Sequence, residues 1–442
     1  MKIHMKSMLN IIVGFTFLWR FITSFVSLPS VLSFFSDVVL IGALIVYFVK
    51  LKNCCIPDHR FHIFIAFFSV VCIISFWGNA TGIRSIFYLI WGLRNQFRFL
   101  LFYLIALVCL NSVDYNKLKS IIYKLLILET ILVSIQFFIL GYRNDFASGI
   151  FGTDQGGNGI ANVFICIISI WALVDYINKE ISTKKFASLI LQCLYVATIM
   201  EIKYYYIEIV LLASITILVS KKTNRKYKVV AGIALAVVAA NQLLSIYYPY
   251  FAQFFTIENI LTYIQNGALG DSTAREFLTG YSRTEVLPGV TNTFLSDNWF
   301  ARLFGLGLGN TDSSPIALCN SGFADQYREL LYANYHFSMV YIETGCIGLA
   351  LFILSFLWTI TQGIKYFRKE NGEHKYSLYI ILLGILGILV FFYDSSLRTA
   401  SSGYLYYYVL AISFIYAFNS KNKQQEEYFG LEQRYNEKKS FS

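Results

Sequence analysis

Asn334-Tyr335-His336-Phe337-Ser338-Met339-Val340-Tyr341-Ile342-Glu343-Thr344-Gly345-Cys346-Ile347-Gly348-Leu349 is the point on which the chain turns. A long polar segment, 247–335, ends there, and an apolar run begins that continues to about Ile360. The spacing predicts a helix with His336 at its entrance and Glu343 two turns further on, on nearly the same face. At about 1.5 Å rise per residue the two lie about 10 Å apart along the axis. A titratable pair at the mouth of an apolar helix, on the side of a long loop, is where chemistry is expected.

Outward from that stretch, the composition sets the class. The 442 residues are 57% hydrophobic and 14% charged, with mean hydropathy +0.57. Soluble domains carry about 25% charged residues. Apolar runs of about 18–22 residues, separated by short turns rich in Lys and Arg, predict an all-α polytopic membrane protein. Twelve spans are expected: 9–27, 31–50, 61–78, 86–110, 120–140, 158–177, 186–202, 204–220, 229–247, 336–360, 377–393 and 403–418. The expected organisation is an N-terminal bundle of about nine spans over 1–246 and a large extracytoplasmic loop over 247–335. Three C-terminal spans over 336–418 and a polar tail over 419–442 complete it. The first apolar run has no small-residue cleavage site and reads as a membrane helix, not a signal peptide.

The net charge of +10 is distributed by side. If the spans alternate, twenty-five of the 36 Lys and Arg fall on one set of loops, eight on the other and three within apolar runs. Positive loops stay in the cytoplasm. Both termini are therefore expected inside and the long loop outside. The same bias accounts for the basic balance without nucleic acid. On the outer side Lys203 is the only lysine, beside seven arginines. Arginine stays charged and presents a planar fork to phosphate or carboxylate, although exclusion of lysine from translocated loops explains the same bias.

Several local patterns carry possible chemistry. Arg94 and Arg98 are four residues apart in an apolar run and share a helix face. Either they face water, a partner or a ligand, or 84–96 is an interfacial helix whose arginines reach the headgroups. The Gly- and Asn-rich stretch from Phe151 to Asn162 reads as a helix cap or as an anion- or sugar-binding turn. Glu201, Lys203, Glu208 and Tyr204-Tyr205-Tyr206 mark a surface turn or a sugar site. The long loop holds Arg275, Arg283 and Arg302, the last followed by Leu303-Phe304-Gly305-Leu306-Gly307-Leu308-Gly309-Asn310. A bare Gly-x-Gly-x-Gly with no strand before it is no dinucleotide fingerprint, and a compact turn that brings Arg302 near the membrane is expected. Of eight cysteines only Cys319 lies in the long loop, so no disulfide forms within it. No metal-ligand spacing and no P-loop appears, so no metal and no cofactor is expected.

Many spans, one large late outer loop, Phe304 to Asn310, then His336 followed by Glu343-Thr344-Gly345-Cys346-Ile347-Gly348-Leu349: this combination resembles the O-antigen polymerase and O-antigen ligase superfamily. There the late loop often ends in a His-Asn pair leading into Glu-x-Gly-x-x-Gly-Leu. Here Phe337 stands in place of that Asn. The motif match covers about 45 residues, the topology the whole chain. The resemblance implies a multi-pass glycosyltransferase of the bacterial cytoplasmic (inner) membrane. It would polymerise undecaprenyl-pyrophosphate-linked oligosaccharide repeats into O-antigen, capsule or exopolysaccharide at the outer face, without a metal ion. Its partners would be that lipid-linked glycan, membrane lipids and a chain-length regulator protein. Arg94, Arg98, Arg275, Arg283 and Arg302 would hold pyrophosphate or glycan, and His336 or Glu343 would serve the acceptor hydroxyl. Two rival readings are a ligase that moves finished glycan to a lipid A core or other acceptor, and a flippase or transporter of lipid-linked oligosaccharide. A transporter predicts repeated halves and charges through several spans.

Overall fold

The structure, a computed structural model, describes residues 2–419 apart from 27, 51–57, 59, 80, 81, 83, 111, 112, 144, 145, 154, 155, 221–224, 248–256, 267–279, 297 and 370–374. Each expected apolar run forms a helix. In chain order these are α1 Lys2–Thr23, α2 Phe35–Lys50, α3 Phe61–Trp77, α4 Ile86–Cys109, α5 Val113–Ser134 and α6 Gly157–Ile177. Then follow α7 Thr183–Ile199, α8 Lys203–Val219, α9 Arg225–Tyr247, α10 His336–Lys369 and α11 Lys375–Tyr393, and α12 over 400–419. No strand occurs among the described residues. Among the described residues six helices, α2, α4, α5, α6, α10 and α11, are long and apolar enough to cross a membrane. The chain is a helical membrane protein.

Burial sorts the helices. From Ile160 to Ile177 every residue of α6 is buried, and α6 packs against α7, α8, α9 and α11. A helix apolar on all faces belongs inside a bundle. In contrast α2 exposes Val38, Ile41, Ile45 and Phe48, the surface a membrane helix turns to lipid. At the end of the bundle away from the long loop, Asp58 accepts hydrogen bonds from Tyr103 Oη (2.9 Å) and Trp358 Nε1 (3.1 Å), tying the approach to α3 to α4 and α10. Asp175 of α6 is paired there with Lys119 and Tyr379.

Two features depart from the expected picture. First, α10 runs to Lys369, beyond the expected end near Ile360, and is broken at Gly345, where φ is 68° and ψ −169°. Only glycine adopts that conformation without strain. Second, the late polar segment, among its described residues, carries a helix at Ile257–Asn266 and a series of compact elements over 280–335. It holds short helices at Val286–Val290, Trp299–Phe304 and Phe323–Gln326, joined by tight turns. Arg275 and the tail over 420–442 lie outside the described residues.

Candidate functional site

The break in α10 receives the glycine-rich turn. Where a helix stops, its last carbonyls lack partners. Here Leu306 N donates to Ile342 O (2.8 Å), Gly307 N to Glu343 O (3.2 Å) and Ser75 Oγ to Glu343 O (2.5 Å). Gly305, Gly307 and Gly309 all have positive φ. A Cβ on Gly345 would sit 2.3 Å from the Leu303 carbonyl, and one on Gly309 would sit 1.9 Å from Tyr88 O. The turn is thus threaded between α10 and α4 at backbone contact, against Gly92. The loop also clasps α4 through Trp91, whose indole donates to Ser313 O at 3.0 Å. The loop therefore covers one face of the first two turns of α4, at Tyr88, Trp91 and Gly92, while Ile86, Phe87 and Ile90 stay exposed. Arg94 and Arg98 follow directly after this part.

Glu343 belongs to that latch. It is fully buried, and its carboxylate accepts from Gly309 N (2.9 Å) and Gln96 Nε2 (3.2 Å). Its two oxygens are thus engaged by neutral donors of the fold. His336 is different. Its ring packs between Phe352 and Phe391, with centroids 5.1 and 4.9 Å away, and its backbone N donates to Asp394 O at 3.1 Å. The residue is 4% exposed, and Nδ1 has no hydrogen-bond partner. The pair expected on one face therefore serves different neighbours, although Arg398 is within electrostatic reach of both.

The arginines divide in the same way. Arg94 is neutralised by Asp37, with Nε and Nη2 each 2.8 Å from Oδ2, and lies over the rings of Phe34 and Trp91. Arg98 donates through Nη2 to the Arg398 carbonyl at 2.5 Å and lies over Phe99. Its Nε is closed to solvent and has no partner. Arg398, between α11 and α12, pairs with Asp312 of the loop at 2.5 Å, and Asp312 also accepts from Asn95 at 2.7 Å. Arg398 Nε is likewise closed and without a partner. Arg283 donates from Nε to Tyr393 O (3.1 Å) and covers the Tyr393 ring, which stacks on Tyr204 at 3.9 Å. Arg302 turns elsewhere. Its guanidinium closes the loop on itself through the Leu295 and Ser296 carbonyls, at 3.0 and 2.5 Å.

A second polar lobe adjoins His336. Asp394 accepts from Ser396 N at 2.7 Å and faces Gly159 at the start of α6. Burial raises its carboxyl above the ordinary range, opposed by the hydrogen bonds to Ser396 and by Arg283. Nearby Glu208, fully buried on α8, accepts from Asn162 Nδ2 at 2.7 Å. The Gly- and Asn-rich stretch and the 201–208 turn therefore converge on the neighbourhood of His336.

The structure thus brings together His336, Arg94, Arg98 and Arg283 at the loop end of the bundle and leaves Arg302 apart. Arg398, Asp312, Asp37 and Asp394 join them without having been singled out. The only signal for Arg398 in the sequence is its place in a short turn between two spans. No family model matches the chain, and no curated protein matches it.

Proposed function

We propose that the protein is a glycosyltransferase that polymerises polyprenyl-pyrophosphate-linked oligosaccharide repeats at the outer face of the bacterial cytoplasmic membrane. In this reading all twelve helices cross, both termini are cytoplasmic and the late loop lies outside. One observation carries it. His336 Nδ1, Arg98 Nε and Arg398 Nε come from three distant segments and are all closed to solvent without a partner, in residues linked by the Arg98 hydrogen bond to the Arg398 carbonyl and by the charge of Arg398 acting on His336. Buried polar atoms of a membrane protein are expensive to leave unpaired. Two guanidinium groups and an imidazole suit a pyrophosphate ester and a hydroxyl.

The chemistry then follows. The acceptor hydroxyl oxygen attacks the anomeric carbon of the donor sugar, and its proton passes to His336. The bond from that carbon to the pyrophosphate oxygen breaks, and the polyprenyl pyrophosphate leaves with the electron pair. Arg98 and Arg398 stabilise the negative charge as it develops, the task a divalent ion performs elsewhere. Arg94, held by Asp37, and Asp312 orient these two. Glu343 positions the loop and takes no proton from substrate. The Tyr204–Tyr393 stack and Arg283 offer a face and donors to the sugar.

Deleting the gene in its host and separating the surface glycan on a gel tests the proposal. Loss of the ladder to a single repeat, restored by wild type and not by His336→Phe at matched membrane levels, is the expected result. Long chains retained on the lipid carrier mean a ligase instead. Absence of outward-facing lipid-linked repeats means a transporter. An unchanged ladder rules out all three.

A further inference from the structure

A groove of about 680 Å³ runs between α1 and α5, on the outside of the bundle. Its walls are Val13, Leu18, Ile121, Leu125, Leu128 and Leu132, with Lys6 and Lys117 also among its lining residues. The two lysines share one end. At the other end α1 and α5 both meet the turn at 149–151. Arg20 Nε donates to Phe151 O at 3.1 Å and the Phe17 ring packs on Phe151 at 5.5 Å. Glu129 accepts from Ile150 N at 2.7 Å and Gln136 Oε1 from Gly149 N at 2.6 Å. At 1.5 Å per residue, Lys6 lies about 17 Å from Phe17 and Lys117 about 18 Å from Glu129. The helices therefore run the same way with their lysines at one level.

That length is close to the hydrocarbon depth of one leaflet, half of about 30 Å. The groove is apolar along that depth and cationic at its mouth. Halfway along, Gly14 lines it, and a Cβ there would meet nothing within 4 Å. The missing side chain lets a flexible apolar chain lie against the backbone of α1. We infer that this groove is a binding site for one anionic phospholipid of the membrane, its acyl chain along Gly14 and its phosphate at Lys6 and Lys117. The groove is lined by none of the residues of the candidate site and does not depend on the glycosyltransferase reading.

Full-length protein in phosphatidylcholine vesicles, doped with spin-labelled phosphatidylglycerol or spin-labelled phosphatidylcholine, tests it by the fraction of label immobilised. Wild type favours phosphatidylglycerol by about fivefold per lysine. Lys117→Gln loses about fivefold of this preference, and Lys6→Gln with Lys117→Gln brings it close to one. Gly14→Leu, whose Cβ meets nothing within 4 Å and whose side chain enters the groove, lowers the immobilised fraction of phosphatidylglycerol. Preference unchanged in both lysine variants overturns the proposal. So does an immobilised fraction unchanged in Gly14→Leu, or a Gly14→Cys protein that cross-links to a second copy through the groove.

Discussion

Arg94 and Arg98 are one helical turn apart on α4, and their surroundings separate them. Arg94 has a carboxylate partner in Asp37. Arg98 has a carbonyl at one nitrogen and nothing at another. What separates them is the open donor: Arg98, like the carboxylate-paired Arg398, keeps a buried Nε without a partner, which suits an anion, and Arg94 does not. Arg98→Lys keeps the charge and loses the fork. It is expected to lower chain growth by about 100-fold, the loss of one transition-state donor, as read by incorporation of labelled repeats in membranes. His336 is tested more sharply by Phe than by Ala. The ring sits among Phe352 and Phe391 and leaves Nδ1 unpaired. His336→Phe should then keep thermal stability within about 1.5 kcal/mol while abolishing activity; retained activity would make His336 a packing residue. Glu343→Gln behaves in the opposite sense. The amide loses one acceptor for a buried donor, Gly309 N or Gln96 Nε2. Its melting midpoint in detergent should fall by the equivalent of about 1–3 kcal/mol, and folded protein should retain activity.

At the scale of elements, the latch between the glycine turn and the break in α10 joins the loop to the helix that carries His336 and to α4, which carries Arg98. Gly309→Ala and Gly345→Ala each add positive-φ strain, about 1–2 kcal/mol, to a direct clash with backbone. Gly322 also has positive φ but has open space around it. Gly322→Ala should therefore cost only the strain, and both latch variants should melt lower than it does; equal midpoints for the three would remove the latch from the account. This is also where the sequence stops being legible. Apolar periodicity marks all twelve helices, because each run must satisfy its own backbone locally. The turn at 305–309 can be read as compact, but its destination cannot, because its hydrogen bonds go to Ile342 and Glu343 and its glycines meet Tyr88 and Gly92. Glu343 looks like a site residue from its spacing alone. Its hydrogen bond from Gly309, 34 positions away, ties it to the latch as well, which spacing alone does not show. Arg398 and Asp312 are 86 residues apart and carry no local pattern.

At the scale of the molecule, the sidedness of the charges makes a definite forecast. With the late loop outside and the α6–α7 turn inside, Ser313→Cys and Ser182→Cys, both exposed positions, should label oppositely in a cysteine-free background. A membrane-impermeant maleimide added to intact cells should modify Cys at 313 and leave Cys at 182 untouched until the cells are opened. The reverse pattern would place the cluster of His336, Arg98 and Arg398 on the cytoplasmic side, where a lipid-linked polymerase has no outward-facing substrate.

The most direct measurement is made on purified protein in vesicles with a synthetic polyprenyl-pyrophosphate-linked repeat as the only substrate. The account predicts that wild type joins repeats and releases one polyprenyl pyrophosphate for each new linkage, with EDTA present, and that His336→Phe does neither. Failure of folded wild type to lengthen any chain, or equal activity in His336→Phe, would contradict it.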